Sequence, residues 1–235
     1  MSAQERSALL RELRNSLGSM SDEGVDWLPR PAALESSAET DLTAESPGDD
    51  ASPLEAVRLE LGDCQRCGLC ETRNQIVFGE GNPNARVVFV GEGPGADEDR
   101  SGRPFVGRAG ELLTKMIGAL GWKREDVYIC NIVKCRPPQN RDPKPGEIAA
   151  CLPFLDKQLA AIAPRAIITL GKPASSTLLG RNVAITKERG IWREFNGIPL
   201  MPTYHPAYVL RQYTKEVRGA VWDDLQAVRE RAFPH

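Results

Sequence analysis

Four short apolar segments, separated by segments with helical spacing, constrain the fold of this 235-residue chain more than any other feature. The apolar segments are residues 86–91, 126–133, 166–170 and 199–204. They lack the regular alternation of polar residues that marks a strand with one face in water. Apolar strands that alternate with helices are typical of a parallel sheet covered by helices on both faces. The sequence therefore predicts an α/β fold.

The intervening segments carry apolar residues at the three- and four-residue spacing of an amphipathic helix. The predicted helices are residues 109–120, 145–162, 172–179 and 217–233. Pro153 lies inside the second of them, and we expect it to bend that helix because proline lacks a backbone N–H.

The residues that follow the predicted strands are candidates for a binding site, because ligands of such sheets bind beyond the carboxyl ends of the strands. These residues are the glycine-rich segment 91–95, the basic segment 131–136, Gly171 with Lys172, and His205. Glycines, an amide, a lysine and a histidine therefore meet at one edge of the predicted sheet.

The N-terminal residues differ from the rest of the chain in composition and charge. Residues 1–55 contain 12 acidic and 4 basic side chains, whereas the remainder contains 20 acidic and 26 basic ones. We expect an N-terminal extension at residues 1–53, with a short amphipathic helix at 3–17 that can dock a protein partner, followed by a disordered acidic linker. The folded domain is expected at residues 54–235. Its basic charge fits a nucleic acid, although ordinary surface charge explains it equally well.

No apolar run reaches the roughly 18 residues that a membrane helix needs, and the N-terminus lacks the apolar core of a secretion signal. We therefore expect a soluble, cytoplasmic protein with no membrane contact. In that reducing compartment, six cysteines suggest ligands of a metal or cluster before disulfides.

The cysteine spacing leaves the bound group open. Cys64 and Cys67 form a Cys-x-x-Cys pair, whereas Cys135 and Cys151 lie far along the chain. Four thiolates can hold either zinc or an iron–sulfur cluster, and unliganded cysteines are a third interpretation. Cys70 is a competing ligand, and a core position is expected for the remaining cysteine because it lies within a predicted strand.

The glycine-rich segment 91–95 is not a phosphate-binding loop, since no Gly-Lys-Ser/Thr follows at the required spacing. It matches a dinucleotide-binding fingerprint only loosely, so a nucleotide-dependent oxidoreductase is kept as an alternative. The acidic residues 97–99 that follow are expected in a solvated loop.

As an ordered set, the motifs resemble those of the family 4 uracil-DNA glycosylases, the iron–sulfur type. The resemblance covers about residues 60–232 and rests on Cys64-x-x-Cys67 and on residues 78–83, 91–95, 102–107, 131–141 and 205–208. It implies a three-layer α/β/α fold with a short central parallel sheet. It also implies a [4Fe–4S] cluster on Cys64, Cys67, Cys135 and Cys151, with Cys70 and Cys130 outside the ligand set.

The resemblance further implies an enzyme that flips uracil out of DNA and hydrolyses its N-glycosidic bond, the first step of base-excision repair. The implied roles are stacking on the base for Phe105, uracil reading for Asn131, a wall against C5 for Glu92 with Gly93, donation to uracil O2 for His205, and holding or activating water for Glu98. The cluster is expected to have a structural role, because hydrolysis needs no redox step. In that role it holds together the segments that carry its ligands.

The expected partner is uracil-containing DNA, bound by a monomer. A loop with Tyr208, Leu210 and Arg211 resembles the wedge that enters the duplex, and Lys172 and Arg136 are our candidates for phosphate contacts. Two alternatives stay open. One is a relative that binds uracil-DNA with little turnover, although the basic, histidine-bearing insertion of that subgroup is absent from residues 97–108. The other is a zinc-containing DNA-binding module that is not an enzyme.

Overall fold

A computed structural model of the chain describes residues 52–233, so the predicted N-terminal helix and nearly all of the acidic linker lie outside the described residues. Six strands form one sheet. They are β1 (Glu80–Gly81), β2 (Val87–Gly91), β3 (Tyr128–Asn131), β4 (Ala166–Leu170), β5 (Arg193–Phe195) and β6 (Ile198–Thr203). Their order in the sheet is β1-β3-β2-β4-β6-β5. The four inner strands are parallel, and the two edge strands pair antiparallel to their neighbours.

The register of the sheet aligns the carboxyl ends of the inner strands. Gly91 of β2 lies opposite Asn131 of β3, and Leu170 of β4 lies opposite Thr203 of β6. The pairing extends past the strand ends, since the Ile132 N–H donates to the Gly91 carbonyl at 2.9 Å. The residues that follow all four strands therefore reach the same edge of the sheet.

Eight α-helices cover the sheet within residues 52–233. They are α1 (Pro53–Leu61), α2 (Ala96–Ser101), α3 (Arg108–Ala119), α4 (Pro145–Ile162), α5 (Lys172–Leu178), α6 (Ile185–Glu188), α7 (Pro206–Arg211) and α8 (Lys215–Ala232). Short 3₁₀ helices occur at Gly68–Glu71, Arg124–Asp126 and Pro138–Asn140. All four predicted strands and all four predicted helices are present, with ends that differ by at most two residues.

Alternating side chains of β2 show how the layers form. Val88 and Val90 point into a core shared with α4 and α5, whereas Val87 and Phe89 point into a core shared with α3 and α8. Because successive strand residues face opposite sides, an entirely apolar strand needs helices on both faces. The predicted three-layer α/β/α fold is confirmed.

The predicted loop at the acidic residues 97–99 is wrong, because these residues lie within α2. The Glu98 carboxylate accepts the Gly95 N–H at 3.1 Å and so caps the start of the helix. Asp99 is 0% exposed and accepts the Asn74 N–H at 2.8 Å. Carboxylates are stabilising in the first turn of a helix, where backbone N–H groups have no helical partner. The acidic residues therefore build a helix and are not simply solvated.

The predicted wedge loop at Tyr208, Leu210 and Arg211 is also wrong as a loop, because these residues form α7. Pro206 occupies the first helical position, where its missing N–H costs nothing, and His205 Nδ1 accepts the Ala207 N–H at 3.0 Å. Val209 is 3% exposed and packs into the core. Any insertion into DNA would thus come from the outer face of a helix.

No helix among residues 52–233 is long and apolar enough to cross a membrane.

Candidate active site

A cavity of about 710 Å³ opens at the carboxyl edge of the sheet. Residues at or after the end of each inner strand line it, and they include Glu92 after β2, Asn131 at the end of β3, Lys172 after β4 and His205 after β6. The predicted site residues that line this one cavity are Glu92, Gly93, Glu98, Phe105, Asn131, Lys172, His205, Tyr208 and Arg211. Arg136 and Leu210 are not among its lining residues.

Asn131 places an unpaired hydrogen-bond acceptor in the wall of the cavity. Its side chain is 1% exposed, and within residues 52–233 its Oδ1 atom has no hydrogen-bond partner. A buried polar atom without a partner costs about 1–3 kcal/mol, and such atoms are rare in folded proteins. The Asn131 Oδ1 atom is therefore suited to accept an N–H from a ligand of the cavity.

Phe105 is held in a backbone conformation that residues other than glycine rarely adopt. Its φ is +51°, it is 6% exposed, and its ring centroid lies 5.8 Å from that of His205. Arg124 fixes the backbone here, since its guanidinium donates to the Phe105 carbonyl at 3.2 Å and to the Pro104 carbonyl at 2.8 Å. Glu80 accepts from the same guanidinium. Surrounding contacts thus hold the strained backbone of Phe105 in place, and such strained residues are common at functional sites.

Gly91 explains how Asn131 and Phe105 come together. A Cβ atom added to Gly91 would lie 2.3 Å from Asn131 Oδ1 and 2.5 Å from Phe105 Cζ. Both contacts are far shorter than a carbon atom allows, so any side chain here would displace the amide or the ring. Glycine at position 91 therefore allows Asn131 and Phe105 to approach each other closely.

His205 is a neutral imidazole with a defined tautomer. Burial lowers its pKa to about 4, and the positive charge of Arg211 adds to this effect. Because Nδ1 accepts the Ala207 N–H, the single proton of the neutral ring is carried by Nε2. The Nε2–H group is then the donor that His205 can offer to a ligand.

We expect NMR titration of the imidazole protons to give His205 a midpoint near pH 4, with no change above about pH 5. The chain contains only two histidines, so a His235→Gln variant assigns the signals. The unfolded state binds more protons than the folded state between the ordinary pKa of 6.5 and about 4. This histidine therefore makes the free energy of unfolding fall as the pH falls through that window. A midpoint near 6.5 would show that burial does not lower the pKa of His205.

The two carboxylates of the cavity have different surroundings. Glu98 Oε1 accepts the backbone N–H groups of Val106 and Gly107 at 3.1 and 3.3 Å, while Oε2 accepts the Gly95 N–H. Glu98 thereby ties α2 to the loop that carries Phe105. Burial raises the pKa of Glu92 to about 7, and the negative charge of Asp142 contributes. Near neutral pH, Glu92 is therefore protonated in about half of the molecules.

Three of the five side chains predicted to contact DNA line the cavity, namely those of Lys172, Tyr208 and Arg211. Lys172 and Arg211 are exposed lining residues, and the Tyr208 ring lies 4.8 Å from that of Tyr204. Arg136 is half-buried, and its Nε donates to Asn140 Oδ1 at 2.7 Å. Leu210 is half-buried. The contacts of these five side chains with DNA stay a prediction.

Several lining residues were not predicted as site residues, namely Tyr204, Pro137, Asn140, Arg141, Ile185 and Thr186. Arg141 is the last residue of the motif segment 131–141, and it forms two hydrogen bonds with Glu147, at 2.8 and 2.6 Å. These bonds lower the pKa of Glu147 to about 2. The position of Arg141 in that segment was a usable signal. Ile185 and Thr186 in α6 carry no signal, because only the chain path brings them to the cavity.

A second, small cavity is lined by Cys64, Cys67, Cys135 and Cys151, and neither Cys70 nor Cys130 lines it. All six cysteines are free of disulfides. Among residues 52–233, no group of three or more His, Cys, Asp or Glu side chains is arranged to hold a metal ion. The structure therefore brings the four predicted ligands to one place.

The sulfur atoms of this cavity accept hydrogen bonds from nitrogen donors. Arg66 Nη1 lies 3.4 Å from Cys64 Sγ, and Arg73 Nη1 lies 3.5 Å from Cys135 Sγ. The backbone N–H of Lys134 donates to Cys151 Sγ at 3.3 Å. Burial raises the pKa of Cys135 to about 11, and the positive charge of Arg73 opposes that rise. The donor set and the cationic surroundings fit an anionic iron–sulfur cluster.

Comparison with known proteins gives the family. The family model of the Uracil DNA glycosylase superfamily matches residues 78–226. The type-4 uracil-DNA glycosylase of Thermotoga maritima is 48% identical over 178 residues, which are 75% of this chain and 93% of that protein. The chain belongs to the type-4 uracil-DNA glycosylase family. Two other relatives of this type are 46% identical over 189 residues (Sulfurisphaera tokodaii; 77% of this chain, 85% of that protein) and 45% identical over 186 residues (Saccharolobus solfataricus; 75% and 85%).

Membership of the type-4 uracil-DNA glycosylase family confirms the resemblance on which the sequence prediction depends. The matched residues 78–226 contain every predicted residue of the large cavity, from Glu92 to Arg211. Cys64 and Cys67 precede that range, whereas Cys135 and Cys151 lie inside it.

Proposed function

We propose that this chain is a uracil-DNA glycosylase, which extrudes uracil from DNA and hydrolyses the bond between the base and deoxyribose. The product is an abasic site, and the reaction starts base-excision repair. One observation carries the proposal. Asn131, whose buried Oδ1 atom has no hydrogen-bond partner among residues 52–233, lines the same cavity as Phe105 and the neutral His205.

Base recognition follows from hydrogen-bond polarity. The Oδ1 atom of Asn131 accepts the N3–H of uracil, while the amide NH₂ donates to O4. Cytosine presents an acceptor at N3 and a donor at N4, so it would leave both groups of Asn131 mismatched in a buried site. Extruding a base costs a few kcal/mol of stacking and pairing, and stacking on Phe105 returns part of it. Glu92 and Gly93 form the wall near C5, which disfavours the methyl group of thymine.

Catalysis depends on stabilising the negative charge that the departing uracil carries. A neutral His205 donates from Nε2 to uracil O2 without a change of its own protonation state, and such preorganised donors are a main source of rate acceleration. Both oxygens of Glu98 already accept backbone N–H groups, so the carboxylate is held in one position. A fixed carboxylate is suited to hold the attacking water. One remaining lone pair of Oε2 is available for that water.

DNA binding is assigned to the rim of the cavity. Lys172 and Arg136 contact phosphates, and α7 presents Tyr208, Leu210 and Arg211 to the gap that the extruded base leaves in the stack. The protein acts as a monomer in the cytoplasm, as the sequence predicts.

The proposed cofactor is a [4Fe–4S] cluster held by Cys64, Cys67, Cys135 and Cys151. In many proteins such a cluster transfers electrons, a step that this hydrolysis does not need. Here the ligands join the segment before β1, the segment after β3 and the helix α4. The cluster therefore stabilises the segment that follows Asn131.

An oligonucleotide with a single uracil tests the proposal. Purified full-length protein should release uracil with many turnovers, and matched oligonucleotides with thymine mismatches or hypoxanthine define its specificity. Retention of the DNA in a covalent complex after one event would instead indicate the binding relative. Zinc in place of iron, without uracil release, would indicate the non-enzymatic DNA-binding module.

A further inference from the structure

Lys134 is a fully buried lysine between the two cavities. Its side chain is 0% exposed, and it lines the cysteine cavity next to Cys135 and Cys151. Its ammonium group donates to the backbone carbonyl of Asn131 at 2.7 Å. Lys134 therefore bonds to the predicted ligand Cys151 through its backbone N–H, and to the residue assigned to read uracil through its side chain.

A buried ammonium group is unfavourable unless a negative charge lies nearby. Lys134 forms no ion pair with a carboxylate among residues 52–233. The anionic groups that its surroundings can offer are the cysteine sulfurs, and its own backbone N–H donates to Cys151 Sγ. When the proposed cluster is bound, its thiolate ligands would supply the negative charge that no described carboxylate offers to Lys134.

Hydrogen bonds also fix the backbone on both sides of the Lys134 side-chain contact. The Lys134 carbonyl accepts the Val77 N–H at 2.8 Å, and the Ile132 N–H is held by Gly91. The Asn131 carbonyl and the Ile132 N–H belong to the same peptide group, so both polar atoms of that group are bonded, one to the ammonium group and one to Gly91. This peptide group follows directly after the Cα atom of Asn131, which lines the large cavity.

We propose that Lys134 is a positioning residue, through which the negative charge of the cysteine cavity holds the Asn131 carbonyl and thereby orients the uracil-reading carboxamide. The inference rests on the proposed function. It links the proposed cluster, which needs no redox role in this hydrolysis, to the recognition of uracil.

The test compares full-length protein carrying Lys134→Met or Lys134→Arg with a Lys157→Met control. Lys157 is an exposed lysine of α4 that pairs with Glu60 on α1, away from both cavities. Redox titration of the cluster should give Lys134→Met a more negative potential, because a nearby positive charge is lost. Its single-turnover rate of uracil release should fall about 10- to 100-fold, with DNA affinity within about threefold of wild type. Lys134→Arg keeps the charge and should recover most of the potential.

A Lys134→Met variant with an unchanged potential, or with a shifted potential and an unchanged rate, would overturn the inference. So would a wild-type protein that binds no iron. If Lys134→Met does not fold, Lys134→Gln supports the same measurements, because its amide still donates a hydrogen bond but carries no charge. If the wild-type protein releases no uracil, the proposed function fails, whereas the potential still reports whether Lys134 lies against the cluster.

Discussion

Replacing Asn131 by alanine should lower the single-turnover rate of uracil release by about 10³-fold, because the carboxamide contacts would be lost where water cannot replace them. DNA affinity should stay within about threefold, since phosphate contacts at the rim supply most of it. Release from a single-uracil oligonucleotide measures the rate, and fluorescence anisotropy of the same oligonucleotide measures the affinity.

Two variants control the Asn131→Ala experiment. Asn84→Ala removes an exposed carboxamide in the turn before β2 and should behave as wild type. Asn131→Asp keeps the size and the acceptor but loses the amide donor to O4, so it should also be slow. Equal losses of rate and affinity in Asn131→Ala would show that the residue supports DNA binding as a whole and does not read the base.

Replacing Cys135 by serine should remove the visible absorption of the cluster and lower the free energy of unfolding by about 4 kcal/mol or more. Loss of a structural metal group is among the few single changes with effects of this size. The serine would also free the segment after β3, because the bond between Cys135 and the cluster is lost. Iron content and denaturant unfolding measure the two effects.

Cys70→Ser is the matched control for Cys135→Ser, because Cys70 is near the other cysteines in sequence but does not line their cavity. It should keep its iron and unfold within about 0.5 kcal/mol of wild type. If both variants lose iron equally, the ligand set includes Cys70 and our assignment is wrong. If neither loses iron, the four-cysteine site itself is wrong.

The two carboxylates illustrate how local surroundings separate chemical roles. Glu92 and Glu98 lie six residues apart and line one cavity. Burial raises the pKa of Glu92 to about 7, whereas Glu98 receives three backbone hydrogen bonds. No property of the residue type distinguishes them. Their difference arises from the glycine turns and the helix start at α2.

The sequence predicted the inner layer of the fold better than its edges. β2 and β4 are uniformly buried, and their apolar runs can be read without a partner, since both faces need a covering helix. β1 and β5 are two and three residues long and were not predicted. Strands of that length form because a neighbour offers unpaired backbone groups, and that is a property of the assembled sheet.

The helices α2 and α7 were missed for a related reason. Each contains only six residues, which is too short for an apolar period to be recognised. Their starts are set by side chains that cap them, Glu98 for α2 and His205 for α7. Both capping residues also line the cavity. In the sequence they are interpreted as catalytic residues and not as the residues that begin a helix.

The sequence alone determined the layer order, the edge of the sheet that carries the cavity, and the residue types at that edge, because these depend on periodicity and strand direction. Only the tertiary structure decided that Asn131 Oδ1 is left without a partner and that His205 carries its proton on Nε2. The same holds for the burial of Lys134 between the two cavities. Hydrogen-bond satisfaction and burial depend on neighbours distant in the chain, and no local pattern encodes them.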